Sequence, residues 1–238
     1  MFTKSAEYYD EIYASFDKDY PAETRNVQRF IRKHKRSQGK SLLDVGCGTG
    51  LHANLLSRYY QVEGLDLDPK MLSVARRKYP VIPFHQGDMI NFKLNRQFDV
   101  IVCLFSSIGY VKTKSRLQKA IQTMSRHLLP GGVLLVEPWF APAQWNVGRV
   151  NFTCVDKPDL KIVRMSRSLR RGNISALEFQ YLIGTSKGME HRTEFHELGL
   201  FPRKEYLQAF RSAGMKVTHD AKGLDGRGLY IGVKSTKG

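Results

Sequence analysis

The chain is poor in cysteine, in acidic residues and in long apolar runs, and each shortage excludes something. Its three cysteines, Cys47, Cys103 and Cys154, stand far apart in 238 residues and form no CxxC pair. That argues against a disulfide framework and a structural zinc site, and fits a reducing, cytoplasmic setting. The longest apolar runs, such as Val100–Phe105, are strand-sized and fall short of the ~18 residues that a membrane span needs. The opening Met1-Phe2-Thr3-Lys4-Ser5-Ala6 has no apolar core and does not read as a secretory signal. Internal repeats, HExxH, paired carboxylates and Cys/His ligand spacings are missing too, so no metal is expected.

The acid shortage leaves 38 Lys and Arg against 22 Asp and Glu, a formal charge of +16. Such a field attracts anions, whether phosphorylated small molecules or nucleic acid. A hydrophobic fraction of 42% and a charged fraction of 25% are those of an ordinary globular chain. The length suits one domain with a large insertion.

What is present has a clear order. Residues 2–36 read as two helices broken near Tyr20-Pro21, and Thr24–Lys40 carries seven Lys and Arg with no acid. From Ser41 short apolar runs alternate with amphipathic stretches. Strands are expected at Ser41–Val45, Val62–Leu67, Val81–Gln86, Phe98–Phe105 and Val133–Val136. Helices are expected at Leu51–Tyr60, from Pro69 to Tyr79, and along the stripe Leu117, Ile121, Met124 and Leu128. This alternation predicts an α/β fold with a parallel sheet covered on both faces. After Trp139 the period falls to two. Val163, Met165 and Leu169 alternate with polar residues, as do Leu177, Phe179, Tyr181 and Ile183, which predicts an inserted antiparallel meander. A helix at Arg203–Ala213 and strands at Met215–His219 and Leu229–Lys234 complete the chain. The expected division is 1–40 as a helical cap, 41–140 and 201–238 as the core, and 141–200 as an insertion over the active site.

The first chemical signal is Asp44-Val45-Gly46-Cys47-Gly48-Thr49-Gly50, between a strand and a helix. Asp66 ends the next strand, twenty residues after Gly46, where a carboxylate can accept both hydroxyls of a ribose. A dinucleotide fingerprint would place its last glycine at position 51, which is Leu51 here. S-adenosylmethionine therefore fits better than NAD. Gln86-Gly87-Asp88-Met89 follows the third strand. Asp88 can accept an adenine amine and Met89 can pack on the ring.

These motifs resemble the class I S-adenosylmethionine-dependent methyltransferases over residues 41–139. The resemblance implies a Rossmann-like, mostly parallel sheet of seven strands with the final strand antiparallel. A closer resemblance lies outside that core. Lys18-Asp19-Tyr20, Phe105-Ser106-Ser107-Ile108-Gly109-Tyr110, Glu137-Pro138-Trp139, Arg164-Met165-Ser166 and Gly226-Arg227-Gly228-Leu229 are similar to motifs of the TDP-amino-sugar N,N-dimethyltransferases. The resemblance implies S-adenosylmethionine held by Tyr20, Gly46, Cys47, Gly48, Gly50, Asp66, Leu67, Asp88, Met89, Leu104 and Phe105. It implies Tyr110 and Tyr13 as the residues that orient a substrate amine. It further implies Tyr13, Ser107, Trp139, Arg164 and Arg227 along the substrate, with Arg227 on its diphosphate.

Arg164, Arg167 and Arg170 are read as a row facing phosphate, with Arg167 on the apolar side. His127 is read as solvated. His191 and His196 fall on opposite faces of one strand, and His196 is left without a role. The expected reaction is N-methylation of a small anionic amine, a nucleotide-linked amino sugar. RNA methylation, or methylation of another small amine or hydroxyl, is the alternative. A homodimer through an edge strand of the meander is left open.

Overall fold

A computed structural model describes residues 3–16 and 18–236. Phe2, where the first helix was expected to begin, lies outside the described residues. A 3-10 turn at Ala6–Tyr8 leads into α1 (Tyr9–Ala14), and α2 (Tyr20–His34) follows. Asp19 caps α2 by accepting the Ala22 N–H at 2.8 Å, and Pro21 sits in the first turn, where its missing donor costs nothing.

The core strands are β1 (Ser41–Val45), β2 (Gln61–Asp66), β3 (Phe84–Gln86), β4 (Phe98–Cys103) and β5 (Leu128–Val136). Between them lie α3 (Leu51–Leu56), α4 (Pro69–Lys78) and α5 (Lys114–Arg126). The insertion supplies β6 (Val150–Lys157), β7 (Leu160–Arg171), β8 (Ile174–Thr185) and β9 (Gly188–Gly199), and α6 (Arg203–Ser212), β10 (Met215–Asp220) and β11 (Leu229–Lys234) end the fold.

The seven-stranded sheet runs β10-β11-β5-β4-β1-β2-β3, with β11 antiparallel to both its neighbours and the other pairings parallel. Alternate residues of its central strands feed two cores. Leu43, Val45 and Ile101 join Ile121, Met124 and Phe210 on one face. Leu42, Val100 and Val102 join Val27, Ile31 and Leu72 on the other. Every residue of β1 and β4 is buried, as a strand with helices on both sides requires. The chain moves outward from β1 to the edge strand β3, then returns to place β4 on the other side of β1. That reversal opens a crevice at the carboxyl ends of the strands.

Several boundaries differ from expectation. The third strand is only Phe84–Gln86, and α3 ends at Leu56, four residues early. Pro130-Gly131-Gly132 does not stop a helix; it lies within β5, and α5 already ends at Arg126. There Gly131 holds φ +75° so that its carbonyl accepts the Arg36 and Ser37 N–H groups. His127 is not simply solvated. Its Nδ1 lies 2.8 Å from the Thr123 carbonyl and its Nε2 accepts the Leu94 N–H, so it closes the end of α5.

The insertion is a separate antiparallel sheet in the order β6-β7-β8-β9. Its first strand, β6, lies outside the expected alternating runs. β7 is inverted relative to expectation: Ile162, Arg164 and Ser168 are buried, while Val163 and Met165 are exposed. Arg164 therefore does not share a phosphate-facing surface with Arg167, which lies on the other face and pairs with Glu178. Arg170 instead bonds the Gly172 and Pro142 carbonyls. Among the described residues no helix is long and apolar enough to cross a membrane.

Candidate active site

The crevice at the reversal is a cavity of about 430 Å³. Gly46, Gly48, Asp66, Leu67, Asp88 and Met89 line one part of it, and Phe105, Ser107, Tyr110, Trp139 and Arg227 another. Each follows the carboxyl end of a core strand or the approach to β11. The remaining wall comes from elsewhere: Tyr9 and Tyr13 from α1, and Leu177, Phe179, His196 and Leu198 from the insertion.

The glycine turn forms because β1 ends where the backbone must fold back toward α3. Gly46, Gly48 and Gly50 all hold φ between 55° and 81°, the left-handed region that other residues avoid. Both the Gly46 and Cys47 N–H groups donate to the Leu65 carbonyl, at 2.7 and 3.1 Å. Asp66 fixes the turn from the next strand. Its Oδ2 accepts the Gly48 N–H at 2.8 Å and its Oδ1 accepts the Asp68 N–H at 2.9 Å. Each oxygen keeps a lone pair toward the cavity for a diol. A Cβ on Gly48 would meet nothing within 4 Å, so a ligand can lie directly against this backbone.

A smaller recess of about 40 Å³ lies behind the turn, lined by Tyr20, Asp44, His52 and Leu104 among others. Leu104 packs into the core here and Cys47 faces the same recess; neither lines the main cavity. Tyr20 is buried with its ring edge-on to His52, 5.0 Å between centroids. Asp44, which sequence reasoning passed over, has a buried Oδ2 without a hydrogen-bond partner. Burial pushes its carboxyl up to about 6. An orphaned carboxylate oxygen beside a glycine turn can receive a ligand cation.

Asp88 accepts the Ile90 N–H through Oδ1 and faces Arg116 through Oδ2 at 3.2 Å. After β4 the backbone is strained. Phe105 and Ser106 hold φ 49° and 60° with side chains present. The strain is held by Glu137, whose Oε2 accepts the Phe105 N–H at 2.6 Å, and by the Ser106 hydroxyl, which donates to the Pro138 carbonyl at 2.7 Å. Ser107 donates to the Gly46 carbonyl at 3.2 Å, joining this loop to the glycine turn. Trp139 donates Nε1–H to Ser175 of β8, tying the core to the insertion.

Arg227 lines the cavity but does not offer an open fork. Its Nη2 lies 3.1 Å from Glu137 and also meets Asp225, while Nη1 donates to the Ser106 hydroxyl at 2.8 Å. In this structure the guanidinium neutralises a buried carboxylate, and a grip on a diphosphate would require it to leave these partners. Glu137 needs it, because burial pushes that carboxyl up to about 7 even with Arg227 pulling it down. Arg164 is stacked 4.9–5.3 Å over the rings of Tyr13, Phe16 and Phe179 and is absent from the main cavity, but its buried Nη1 makes no hydrogen bond among the described residues.

Tyr110 and Tyr13 both line the cavity, and burial holds both phenols above their usual range. Tyr13 packs edge-on against Phe105, 5.0 Å between centroids. Tyr110 lies 2.7 Å from Nδ1 of His196. His196, given no role from sequence, is 1% exposed and meets the phenol across the fold. Its only sequence signal was a polar residue at an inward position of a strand. No group of three or more metal-ligating side chains occurs among the described residues.

The relatives agree with this geometry. A model of the methyltransferase domain matches residues 42–132. The dTDP-3-amino-3,6-dideoxy-alpha-D-glucopyranose N,N-dimethyltransferase of Streptomyces fradiae is 39% identical, over 98% of this chain and 92% of the relative. The chain belongs to the S-adenosylmethionine-dependent methyltransferases. Among solved members, DesVI of Streptomyces venezuelae is 38% identical with a TM-score of 0.91, covering 97% of this chain and 98% of that one. A SAM-bound amino pentose methyltransferase from Micromonospora echinaspora is 36% identical with a TM-score of 0.86, covering 95% and 96%. The glycine turn, Asp66 and Asp88 are the residues that could hold a nucleoside, and the Asp44 oxygen one that could receive an ammonium.

Proposed function

We propose that this methyltransferase transfers methyl groups to the amino group of a small nucleotide-linked (dTDP) amino sugar. One observation carries the reading: the similarity to enzymes named for that reaction runs end to end, insertion included, at 38–39% identity. A core-only match would have supported the cofactor and nothing about the acceptor.

When bound, S-adenosylmethionine supplies an electrophilic methyl carbon on a good, neutral leaving group. The chain's own task is then to bind, orient and keep water out. Asp66 holds the ribose diol, Asp88 and Met89 the adenine, and Asp44 the ammonium. Gly46 and Gly48 let the methionine part lie against the backbone. Tyr20, Leu67 and Phe105 close around that site. Tyr13 and Tyr110 face the amine, with Ser107 and Trp139 along the sugar. The anionic part of the substrate meets Lys112 and Arg116, which line the cavity, are both about half exposed, and turn to it from their pairs with Glu197 and Asp88. Residues 141–200 form the roof over the amine, and a cytosolic location belongs to the same proposal.

The test is a mass-spectrometric transfer assay with TDP-linked 3- and 4-amino sugars, and bulk RNA as a second arm. A sugar gaining one or two methyl increments is expected. Methylated RNA with every sugar unchanged would overturn the reading.

A further inference from the structure

His196 and Glu194 lie two residues apart on β9 and point inward beneath the cavity. Nδ1 of His196 is 2.7 Å from the Tyr110 hydroxyl, and its Nε2 is 3.5 Å from Oε2 of Glu194. Glu194 is bound into the fold on all sides. Its Oε1 accepts the Lys4 and Ser5 N–H groups at 2.6 and 3.0 Å, and its Oε2 accepts the Ser5 and Tyr181 hydroxyls at 2.7 and 3.1 Å. Every bond to Glu194 is donated to it, so it is held as an acceptor-only carboxylate.

At 3.5 Å Glu194 acts on Nε2 as a charge rather than through a hydrogen bond, and a negative charge on that side of the ring favours the tautomer with the proton on Nε2. Nδ1 then carries a lone pair and accepts the Tyr110 O–H. The phenol's one proton is spent on His196, and its oxygen turns only lone pairs to the cavity. The polarity matters for N-methylation. An amine attacks with its lone pair. A phenol that donated to the amine would tie up that lone pair, whereas a phenol that accepts an N–H leaves the lone pair free to point at the methyl carbon.

We propose that His196 and Glu194 are positioning residues that fix the direction of the Tyr110 hydrogen bond, so that Tyr110 accepts from the substrate amine and cannot donate to it. The inference rests on the amine-acceptor reading above. The surrounding groups agree. Burial lowers the His196 imidazole below its usual range, and the nearby Arg164 guanidinium adds to this against the opposing Glu194. Burial also keeps Tyr110 and Tyr181 protonated, with Tyr13 beside them held the same way. Were His196 to take a second proton, its Nδ1 would become a donor and the phenol proton would turn into the cavity. Methyl transfer therefore has an acid limb set by His196 in addition to that of the substrate.

The test is a double-mutant cycle with cofactor affinity as the folding control. His196→Phe frees the phenol to donate, so kcat is expected to fall by about tenfold, the worth of one misdirected hydrogen bond, with KM unchanged or lower. Tyr110→Phe removes the donor altogether. In the pair, Tyr110→Phe is expected to restore part of what His196→Phe lost, and the His196 acid limb is expected to vanish. In parallel, 15N-histidine NMR of the cofactor-free protein at neutral pH is expected to show His196 protonated on Nε2 only, and Glu194→Gln to disturb that tautomer. Simple additivity of the two losses at unchanged cofactor affinity would overturn the proposal, as would a proton on Nδ1. If no amino sugar is methylated by the wild-type protein, the functional reading fails on its own, and the NMR result still decides the hydrogen-bond direction.

Discussion

The two sheets of this enzyme solve opposite problems. The seven-stranded sheet lies between helices, so its central strands are buried on both faces and carry little but apolar side chains. The polar groups of its active site sit at or just past the carboxyl ends of the strands, where the backbone turns. The four-stranded sheet has one covered face, and that face holds Arg164, Glu194, His196, Ser168 and Ser175 in its interior. Its outer face shows Phe152, Val163, Met165 and Leu182 to solvent, with Phe152 72% exposed. In the first sheet, chemistry is attached to the ends of a hydrophobic scaffold. In the second, chemistry is built into the sheet among Ile162, Phe179, Tyr181 and Ile183, while further apolar residues face solvent.

The contrast is sharpest in stability. Ile101→Ala, in the middle of β4, is expected to cost about 2–5 kcal/mol in denaturant unfolding. Phe152→Ala, on the outer face of the insertion, is expected to change stability by no more than about 0.5 kcal/mol. A core-sized cost at Phe152, growing with protein concentration, would mean that a second copy of the chain covers this face.

Next comes ligand binding at the strand ends. Asp66→Ala removes two lone-pair acceptors for the ribose and should raise the cofactor Kd by about tenfold or more, read by calorimetry, since a charge-assisted bond is worth about 1.5–3 kcal/mol. Removing Arg164 from the insertion should leave that Kd unchanged. Gly46→Ala is expected to cost about 1–3 kcal/mol, because the turn needs φ +75° and the added Cβ would come within 2.6 Å of Ser107 Cβ.

The smallest effect, and the cleanest comparison, is in pH. Each sheet carries a buried carboxylate, and the two titrate in opposite directions. Burial pushes Asp44 up to about 6, so its contribution to stability is complete below the unfolded value and is lost as pH rises through about 6. Asp44→Asn should abolish that decline in the cofactor-free protein and weaken cofactor stabilisation. Glu194 is opposed by burial, but His196, Ser5 and Lys4 hold it down at about 2. Its contribution is present above the unfolded value and is lost as pH falls toward about 2. The thermal penalty of Glu194→Gln should therefore be full at pH 7 and shrink below pH ~4, once the unfolded-state carboxyl is protonated.

Much of the core was legible because its rules are local. A strand buried on both faces must be a continuous apolar run. A tight turn against a ligand must use glycine, and a carboxylate at the next strand end follows from parallel register. Gly46, Gly48, Asp66 and Asp88 could be placed on those grounds. Asp44 was passed over because one acidic residue in an apolar strand gives no sign that its carboxylate is unpartnered.

In the insertion the same reasoning inverted β7. Val163 and Met165 are the apolar members of the alternation, yet Arg164 is the buried one, because the aromatic rings of Tyr13, Phe16 and Phe179 receive its guanidinium. Those partners come from α1, the turn after it and β8, which no local period connects to β7. Arg227 failed for a similar reason. Its flanking glycines were visible, and Asp225, two residues before it, takes its Nε–H and an Nη2–H, but Glu137, ninety residues earlier, was needed to see the buried carboxylate that it neutralises.

The α/β core, the glycine turn, the carboxylates at the strand ends and the presence of an antiparallel insertion are all written in the linear chain. These depend on periodicity, on backbone freedom and on spacing along one chain. Only the tertiary structure decided which face of the insertion is buried, that Arg227 is spent on Glu137, and that Tyr110 meets His196 eighty-six residues away. Those are properties of pairs distant in the chain. A polar side chain declares whether it is free, paired or turned inward only when its partner arrives.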